Sequence, residues 1–512
     1  MSLLPVFPND DSLSFLTKNQ KEKLPIKMIK MSPIVPKKIA ENIYEIPKNE
    51  KSYMKVPARI FADDKLIKGM EEKMFIQATH VAWLPGIYKN SLVLPDGHMG
   101  YGFPIGGVAA TDYQDGVVSP GGVGYDINCG VRLVRTNLKK NEVVPHAKKL
   151  SEELYDNVPA GVGSKAKIHL SRKELNELLI EGAKYCVKRG LGWEEDIEYC
   201  EENGAMANAD PSAVSERAIS RGMPQAGSLG SGNHFLEIQY VDQIYDEALA
   251  KAMGIIEKDQ ILVMIHTGSR GLGHEICGDY LRQVEQKMPQ YNLNPPDREL
   301  ACVPTQSEDG QNYLKAMACG ANFAWGNRQM ILHWVRETFE KRFGRSAEEL
   351  DMHLIYDVAH NIAKKEEHTI DGKKRTVITH RKGATRAFPA GHSEVPQKYR
   401  SIGQPVILPG SMGTSSYVLI GQPKGMEISF GSTAHGAGRV LSRSGALKKF
   451  WGATVTDELK SKGIYIKATN PKIIAEEAPG VYKDIDAVAT VSHNLGIGKK
   501  VVRLKPIAVV KG

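Results

Sequence analysis

The sequence predicts a mixed α/β protein, one large domain with central β-sheets, surrounding helices and a helical insertion. Three observations carry this expectation. Residues 53–140 are rich in Gly and Pro, and short β-type runs such as 106–110 and 131–135 alternate with turns. Residues 141–222 shift to Glu, Lys, Leu and Ala, with apolar residues at helical spacing over 144–157 and 171–189. The Gly-rich β-type pattern then returns over 225–275. Further along, 312–343 has helical character, 353–440 alternates short apolar runs with polar turns, and the chain ends in a strand-like run at 501–510. Residues 1–40 carry Pro5, Pro8, Pro25, Pro33 and Pro36 without periodicity and are expected to be an N-terminal extension. The main domain is then expected over 41–512, with its helical insertion at about 141–222.

Bulk properties bound the function. The 512 residues are 41% hydrophobic and 25% charged, as in an ordinary globular protein. No run reaches the roughly 18 apolar residues a membrane helix needs, and the N-terminus lacks the apolar stretch of a secretory signal. A net charge of +8 permits a polyanionic partner without demanding one. The six cysteines are scattered, with no CxxC pair, which points to a reducing, cytoplasmic compartment.

The residues suited to chemistry sit in a few Gly-flanked segments. His234 follows Gly232-Asn233, His266 precedes Thr267-Gly268-Ser269-Arg270, His360 follows Asp357-Val358-Ala359, and His435 precedes Gly436-Ala437-Gly438-Arg439. A fifth segment places Asp126 and Cys129 three residues apart. One histidine at a strand end is usually a hydrogen-bonded structural residue. Four such histidine segments, with a fifth that carries Asp126 and Cys129, suggest side chains gathered into one cleft. A carboxylate, a thiolate and imidazoles form a borderline ligand set, better suited to Mn²⁺, Zn²⁺, Fe²⁺ or Co²⁺ than to Mg²⁺ or Ca²⁺. A paired site of this kind can clamp a phosphoryl displacement. Three Gly-rich turns, at 119–124, 409–414 and 435–439, expose backbone N–H groups that can cradle anions. None fits GxxxxGK[ST], so a P-loop is excluded. Arg270 and Arg439 each lie four residues past a histidine and would add positive charge to the cleft.

Taken in order, these stretches resemble the RtcB family of RNA ligases. The resemblance runs from about residue 40 to the end, through Pro95-Asp96-Gly97-His98-Met99-Gly100-Tyr101-Gly102, then 119–130, 229–237, 265–273, 356–361, 380–386, 409–417, 430–443 and 503–512. It implies an enzyme that joins an RNA 3′-phosphate or 2′,3′-cyclic phosphate to a 5′-hydroxyl, with two Mn²⁺ per chain and GTP as cosubstrate. Cys129 would bridge the two ions, one completed by Asp126 and His234, the other by His266 and His360. His435 would carry GMP, with Asp96 and Arg439 acting beside it. Asn233, Phe235, Asn361, Ser411, Ser416, Ala437, Gly438, Tyr482 and Lys511 would contact the guanylate, and Glu237 would read the guanine edge. Arg221, Arg270 and Lys382 would face RNA. The implied partners are transfer-RNA halves, broken RNA ends and an archease-like activator. One departure from the family pattern is Ala434, a position often occupied by Cys. The competing reading is a dinuclear metallo-phosphodiesterase or phosphatase, which would need neither a guanine site nor a histidine outside the metal shell.

Overall fold

Burial of both faces of the strands explains why the sequence shows short continuous apolar runs rather than clean alternation. The strand Gln260–Thr267 is buried throughout. Its Ile261, Val263 and Ile265 enter one hydrophobic core, with Ile331, Val335 and Phe339 of a long helix, whereas Leu262 and Met264 enter a second core, with Ile407, Val418 and Val502. The period of two is therefore intact, but each face meets its own apolar layer. In this computed structural model, which describes residues 34–512, that strand lies inside an eight-stranded sheet. The order is Leu354–Ala359, Gly130–Lys139, Gln260–Thr267, Phe235–Ile244, Lys499–Lys511, Ser416–Ile420, Pro405–Leu408, all antiparallel, with Tyr465–Ala468 added parallel to Lys499–Lys511.

A seven-stranded sheet runs Lys37–Ala40, Ile43–Ile46, Ala58–Phe61, Ser91–His98, Ile105–Asp112, Lys373–Lys382, Asn361–Ile370. Its first strand falls inside the segment expected to be an extension, so sheet structure begins by residue 37; residues 1–33 of that segment lie outside the described residues. The two sheets share one stretch of chain. Leu354–Ala359 is the edge of the eight-stranded sheet, Asn361–Ile370 is the edge of the seven-stranded sheet, and His360 is the residue between them. The expected helical insertion appears between Gly130–Lys139 and Phe235–Ile244. It includes Ala147–Asn157, Arg172–Glu181 and Glu216–Gly222. The run 171–189 is broken at Gly182, whose φ of 60° separates two helices.

The long helix is Glu308–Phe343, begun by the Ser307 side chain, which accepts from Gly310 N–H at 3.1 Å, and ended by Gly344 at φ 64°. It is buried on nearly every side, yet it carries Asn327, Arg328, Gln329 and Arg336. Arg328 explains why. Its guanidinium is fully buried and donates to Asp357 Oδ1 at 2.8 Å, to the Asn128 carbonyl at 2.9 Å and to the Thr267 carbonyl at 2.9 Å. Arg132 donates to the same carboxylate at 2.7 Å. Removing one member of such a group leaves buried polar atoms uncompensated, at about 3–5 kcal/mol. Arg328→Met is expected to lower unfolding stability by that amount in urea denaturation. A loss below about 1 kcal/mol would show that the network is replaceable.

Candidate metal and nucleotide site

Four neighbouring strands of the eight-stranded sheet bring their ends together on one side. Because the pairs are antiparallel, the C-terminal end of Leu354–Ala359, the N-terminal end of Gly130–Lys139, the C-terminal end of Gln260–Thr267 and the N-terminal end of Phe235–Ile244 coincide. The register is explicit: Ala359 faces Gly130, Val131 faces His266, and His266 faces Phe235. His360, Cys129, His266 and His234 therefore lie on adjacent strand ends. Asp126 joins them through a tight turn in which Asn128 takes φ 50° and its side chain donates to the Ala321 carbonyl of the long helix at 2.7 Å.

These donors form two groups that share a sulfur. Cys129, His266 and His360 make one; Asp126, Cys129 and His234 make the other. Cys129 Sγ lies 3.4 Å from His234 Nε2 and 3.3 Å from His266 Nε2, and His266 Nε2 lies 3.3 Å from His360 Nε2. His234 Nε2 is 2.8 Å from Asp126 Oδ2. Neutral imidazoles and a thiol satisfy one another poorly at such spacing, whereas converging lone pairs suit a cation. Burial holds His266 and His360 well below the ordinary histidine range, so both present unprotonated nitrogens. Burial and then the Asp126 charge push the Cys129 thiol up. A bound divalent cation would reverse that balance by displacing its proton. Burial also opposes ionisation of Asp126, but the charge and hydrogen bond of His234 prevail and hold its carboxyl well below the usual range.

His435 stands next to this cluster but outside it. Its ring packs edge-on to His360, with centroids 4.9 Å apart. Asp96 Oδ2 accepts from His435 Nδ1 at 2.5 Å, from the His435 backbone N–H at 2.9 Å and from Gly436 N–H at 3.3 Å. Burial opposes the Asp96 charge, but the charge and hydrogen bonds of His435 more than offset it. A carboxylate on Nδ1 leaves Nε2 as the nitrogen available for bonding. Gly438, at φ 71°, lies so close to Asp96 that a Cβ there would sit 2.1 Å from the Asp96 carbonyl oxygen. Only glycine lets this turn approach the strand.

The donors and His435 line one cavity of about 630 Å³. Asn233, Phe235, Asn361, Ser411, Ala437, Gly438, Tyr482, Lys511, Arg221, Arg270, Lys382 and Arg439 line it too. Gly124, residues 409–412 and residues 435–439 place all three Gly-rich turns on its wall. Glu237 and Ser416 are not in the lining. Both are buried, and Gln239 joins them: its amide donates to Glu237 Oε2 at 2.6 Å and to Ser416 Oγ at 3.1 Å. Asn361 is a brace: it donates to the Asp126 carbonyl at 3.0 Å and accepts from Gly383 N–H at 2.8 Å. The cationic residues are already engaged. Arg439 donates to Glu477 Oε1 at 3.0 Å, Lys382 donates to the Tyr101 carbonyl at 2.6 Å, Arg221 pairs with Glu275, and Arg270 donates to Ser228 Oγ at 3.2 Å. Burial lowers Lys382 to about 8.

Sequence reasoning missed several wall residues: His98, Gln225, His274, Arg443, Glu476 and Glu477. His98 and Arg443 sat inside matched stretches without a role. Glu477, which gathers Arg439, Tyr482 and Lys511, carried no local signal, since its partners are brought to it only by the fold.

A shared-sulfur donor cluster, a carboxylate-held histidine outside it and a cationic, glycine-lined cavity define the class of enzymes that transfer phosphoryl or nucleotidyl groups. The family model described as tRNA-splicing ligase RtcB matches residues 77–512, and the chain belongs to the RtcB family. Relatives named tRNA-splicing ligase RtcB are similar over nearly their whole length. The protein from Thermococcus kodakarensis is 57% identical over 484 residues, 94% of this chain and 100% of the relative. That from Methanococcus maripaludis is 57% identical, covering 93% and 99%, and that from Archaeoglobus fulgidus is 54% identical, covering 93% and 98%.

Cys129 belongs to both donor groups, so Cys129→Ala is expected to abolish stable metal binding at either group. Elemental analysis of the purified variant checks this. A metal content equal to that of the unmodified protein would rule out a shared thiolate.

Proposed function

We propose that this protein is a metal- and GTP-dependent RNA ligase that joins an RNA 3′-phosphate to a 5′-hydroxyl, with His435 as the guanylate carrier. The observation that carries the reading is the Asp96–His435 pair, which frees one imidazole nitrogen at the wall of a cavity shared with a candidate dinuclear metal site. The names of the relatives favour transfer-RNA halves as substrates, and broken RNA ends share the same chemistry. They favour a ligase over a metallo-phosphodiesterase or phosphatase. An archease-like activator belongs to this reading as a partner. Six free cysteines fit a reducing, cytoplasmic setting, and no described helix is long and apolar enough to cross a membrane.

Asp126, Cys129, His234, His266 and His360 would hold two Mn²⁺ ions, which supply charge neutralisation at phosphoryl oxygens when bound. The chain's own groups do the rest. His435 Nε2 attacks the α-phosphorus of GTP; a P–N bond forms and pyrophosphate leaves. Asp96 keeps Nδ1 protonated and fixes the ring, so the imidazole is a nucleophile on one side and a donor on the other. An oxygen of the RNA 3′-phosphate then attacks the same phosphorus, the P–N bond breaks, and an RNA-3′-pyrophosphoryl-guanosine end results. This step converts a phosphate with no good leaving group into one that can expel GMP. The 5′-hydroxyl oxygen attacks the RNA-side phosphorus, GMP leaves, the phosphodiester forms, and the hydroxyl proton is released. A 2′,3′-cyclic end must first be opened by water to the 3′-phosphate. Arg221, Arg270, Lys382 and Arg439 meet anionic RNA and guanylate groups in orientations already set by their protein partners.

His435→Ala is expected to keep its metals and to form no protein–GMP adduct with α-labelled GTP. It should still join an RNA that already carries the 3′-pyrophosphoryl-guanosine end, whereas Cys129→Ala should fail on both substrates. Loss of metal from His435→Ala, or normal labelling, would remove His435 from the role of carrier.

Glu237 gives the base preference. Burial raises its carboxyl to about 7, and Oε1 has no hydrogen-bond partner among the described residues. Guanine N1–H and N2–H₂ can both donate to a carboxylate, and adenine offers no such pair. Guanine binding needs the ionised form, so affinity is full above pH 7 and falls as pH drops through it. The KM for GTP is expected to rise between pH 8 and pH 6, approaching tenfold for each unit below the midpoint. In Glu237→Gln this dependence should disappear, together with preference for GTP over ATP. An unchanged pH slope in that variant would dissociate Glu237 from the base.

A further inference from the structure

His98 lies in the Pro95–Gly102 stretch matched at the sequence level, but no step above uses it. It lines the same cavity as His435, and one residue links the two rings. Asp96 receives His435 on its carboxylate and His98 on its backbone: His98 Nδ1 lies 3.0 Å from the Asp96 carbonyl oxygen. A carbonyl can only accept, so Nδ1 carries the proton. Nε2 is then a bare lone pair, and it has no partner among the described residues. The segment is held from behind by Lys483, whose ammonium donates to the carbonyls of Gly97 and Pro95. Turning the His98 ring away would break its part-buried hydrogen bond to the Asp96 carbonyl.

We propose that His98 Nε2 is the acceptor for a hydroxyl group of an RNA end, and that it discriminates hydroxyl-bearing ends from phosphorylated ones at that position. The proposal rests on the RNA ligase reading and deepens it. The cavity's charged wall is mostly donors: Arg221, Arg270, Arg443, Lys382 and Lys511 all suit phosphate oxygens. A lone pair among them suits a group with a proton to give. Burial pulls the His98 imidazole down to about 3, so it stays a neutral acceptor throughout the working range and repels phosphate oxygens instead of attracting them. So weak a base positions a hydroxyl by hydrogen bonding and does not remove its proton. Two hydroxyls share this chemistry: the 5′-hydroxyl of one strand and the terminal 2′-hydroxyl of the other.

The test is a cycle between protein and RNA, using the manganese-loaded protein and short oligoribonucleotides. Binding is compared for 5′-hydroxyl and 5′-deoxy ends, and separately for 3′-phosphate strands with a terminal 2′-hydroxyl or 2′-deoxy sugar. In the unmodified protein, one of these deletions is expected to weaken binding about threefold to tenfold, the range of a single net hydrogen bond. The same deletion should be nearly silent in His98→Ala, and the responding arm identifies which hydroxyl is bound. His98→Gln, whose amide oxygen can accept, should recover part of the discrimination. If both deletions are silent in the unmodified protein, or if His98→Ala feels them equally, the proposal is overturned. The first result needs no variant, so misfolding cannot obscure it. Ligation of 3′-phosphate to 5′-hydroxyl strands is measured in parallel. Failure of ligation in the unmodified protein sinks the ligase reading, whereas silent deletions with intact ligation sink only the role of His98.

Discussion

The buried guanidinium of Arg328 and the Asp357 carboxylate are the interaction on which the site depends. Asp357 lies in the strand that delivers His360, and Arg328 also holds the carbonyl of Asn128, between Asp126 and Cys129, and that of Thr267, next to His266. One side chain from the long helix thus ties three of the four strand ends that carry candidate ligands. The network continues away from the cavity. Arg132 joins Asp357 to Gln329 at 2.5 Å, Gln329 donates to Asp196 at 2.8 Å, and Arg336 pairs with Asp196 at 2.7 Å. Asp196 belongs to the helical insertion, so that region braces the sheet end as well as covering it. Buried charges are tolerated here because each is paired, and pairing in a low-dielectric interior permits little angular freedom.

That rigidity matters for a site that must handle several anionic groups in succession. Donors held in advance stabilise developing charge without reorganising at the moment of reaction. Arg439 is fixed by Glu477 and Tyr482, and Lys382 by a backbone carbonyl. The buried Lys382 ammonium could not remain there unpaired before substrate arrives, and the Tyr101 carbonyl meets that need. The arrangement separates two kinds of histidine by their surroundings. His266 and His360 are enclosed with a thiol and kept unprotonated, whereas His435 has a carboxylate on one nitrogen and a glycine turn beside it.

Much of the fold was legible. The 312–343 helix, the helix-rich 141–222 region and the terminal strand all appear, because helical spacing and β-type runs are local properties. The 270–287 stretch was harder. It follows a Gly-rich β-type segment, yet Arg270–Lys287 is a helix, because tertiary packing of Leu272, Ile276, Tyr280 and Val284 overrides a glycine-punctuated start. The strand Lys37–Ala40 was hidden as well. It is an exposed edge strand, and edge strands need no apolar alternation.

The sequence by itself determined the chemical inventory: a carboxylate and a thiolate three residues apart, histidines in Gly-flanked segments and turns able to hold anions. It also carried the family pattern in which those residues stand. Only the tertiary structure decided their partnerships. Asp96 and His435 are 339 positions apart, and Cys129 and His266 are 137 apart; antiparallel register and the meeting of two sheets at His360 put each pair in contact. Glu237 and Ser416 are joined through Gln239, and Arg328 became the brace of a site to which it contributes no ligand. No local pattern encodes those outcomes, because burial and pairing are properties of what the fold packs against a residue, not of its neighbours in the chain.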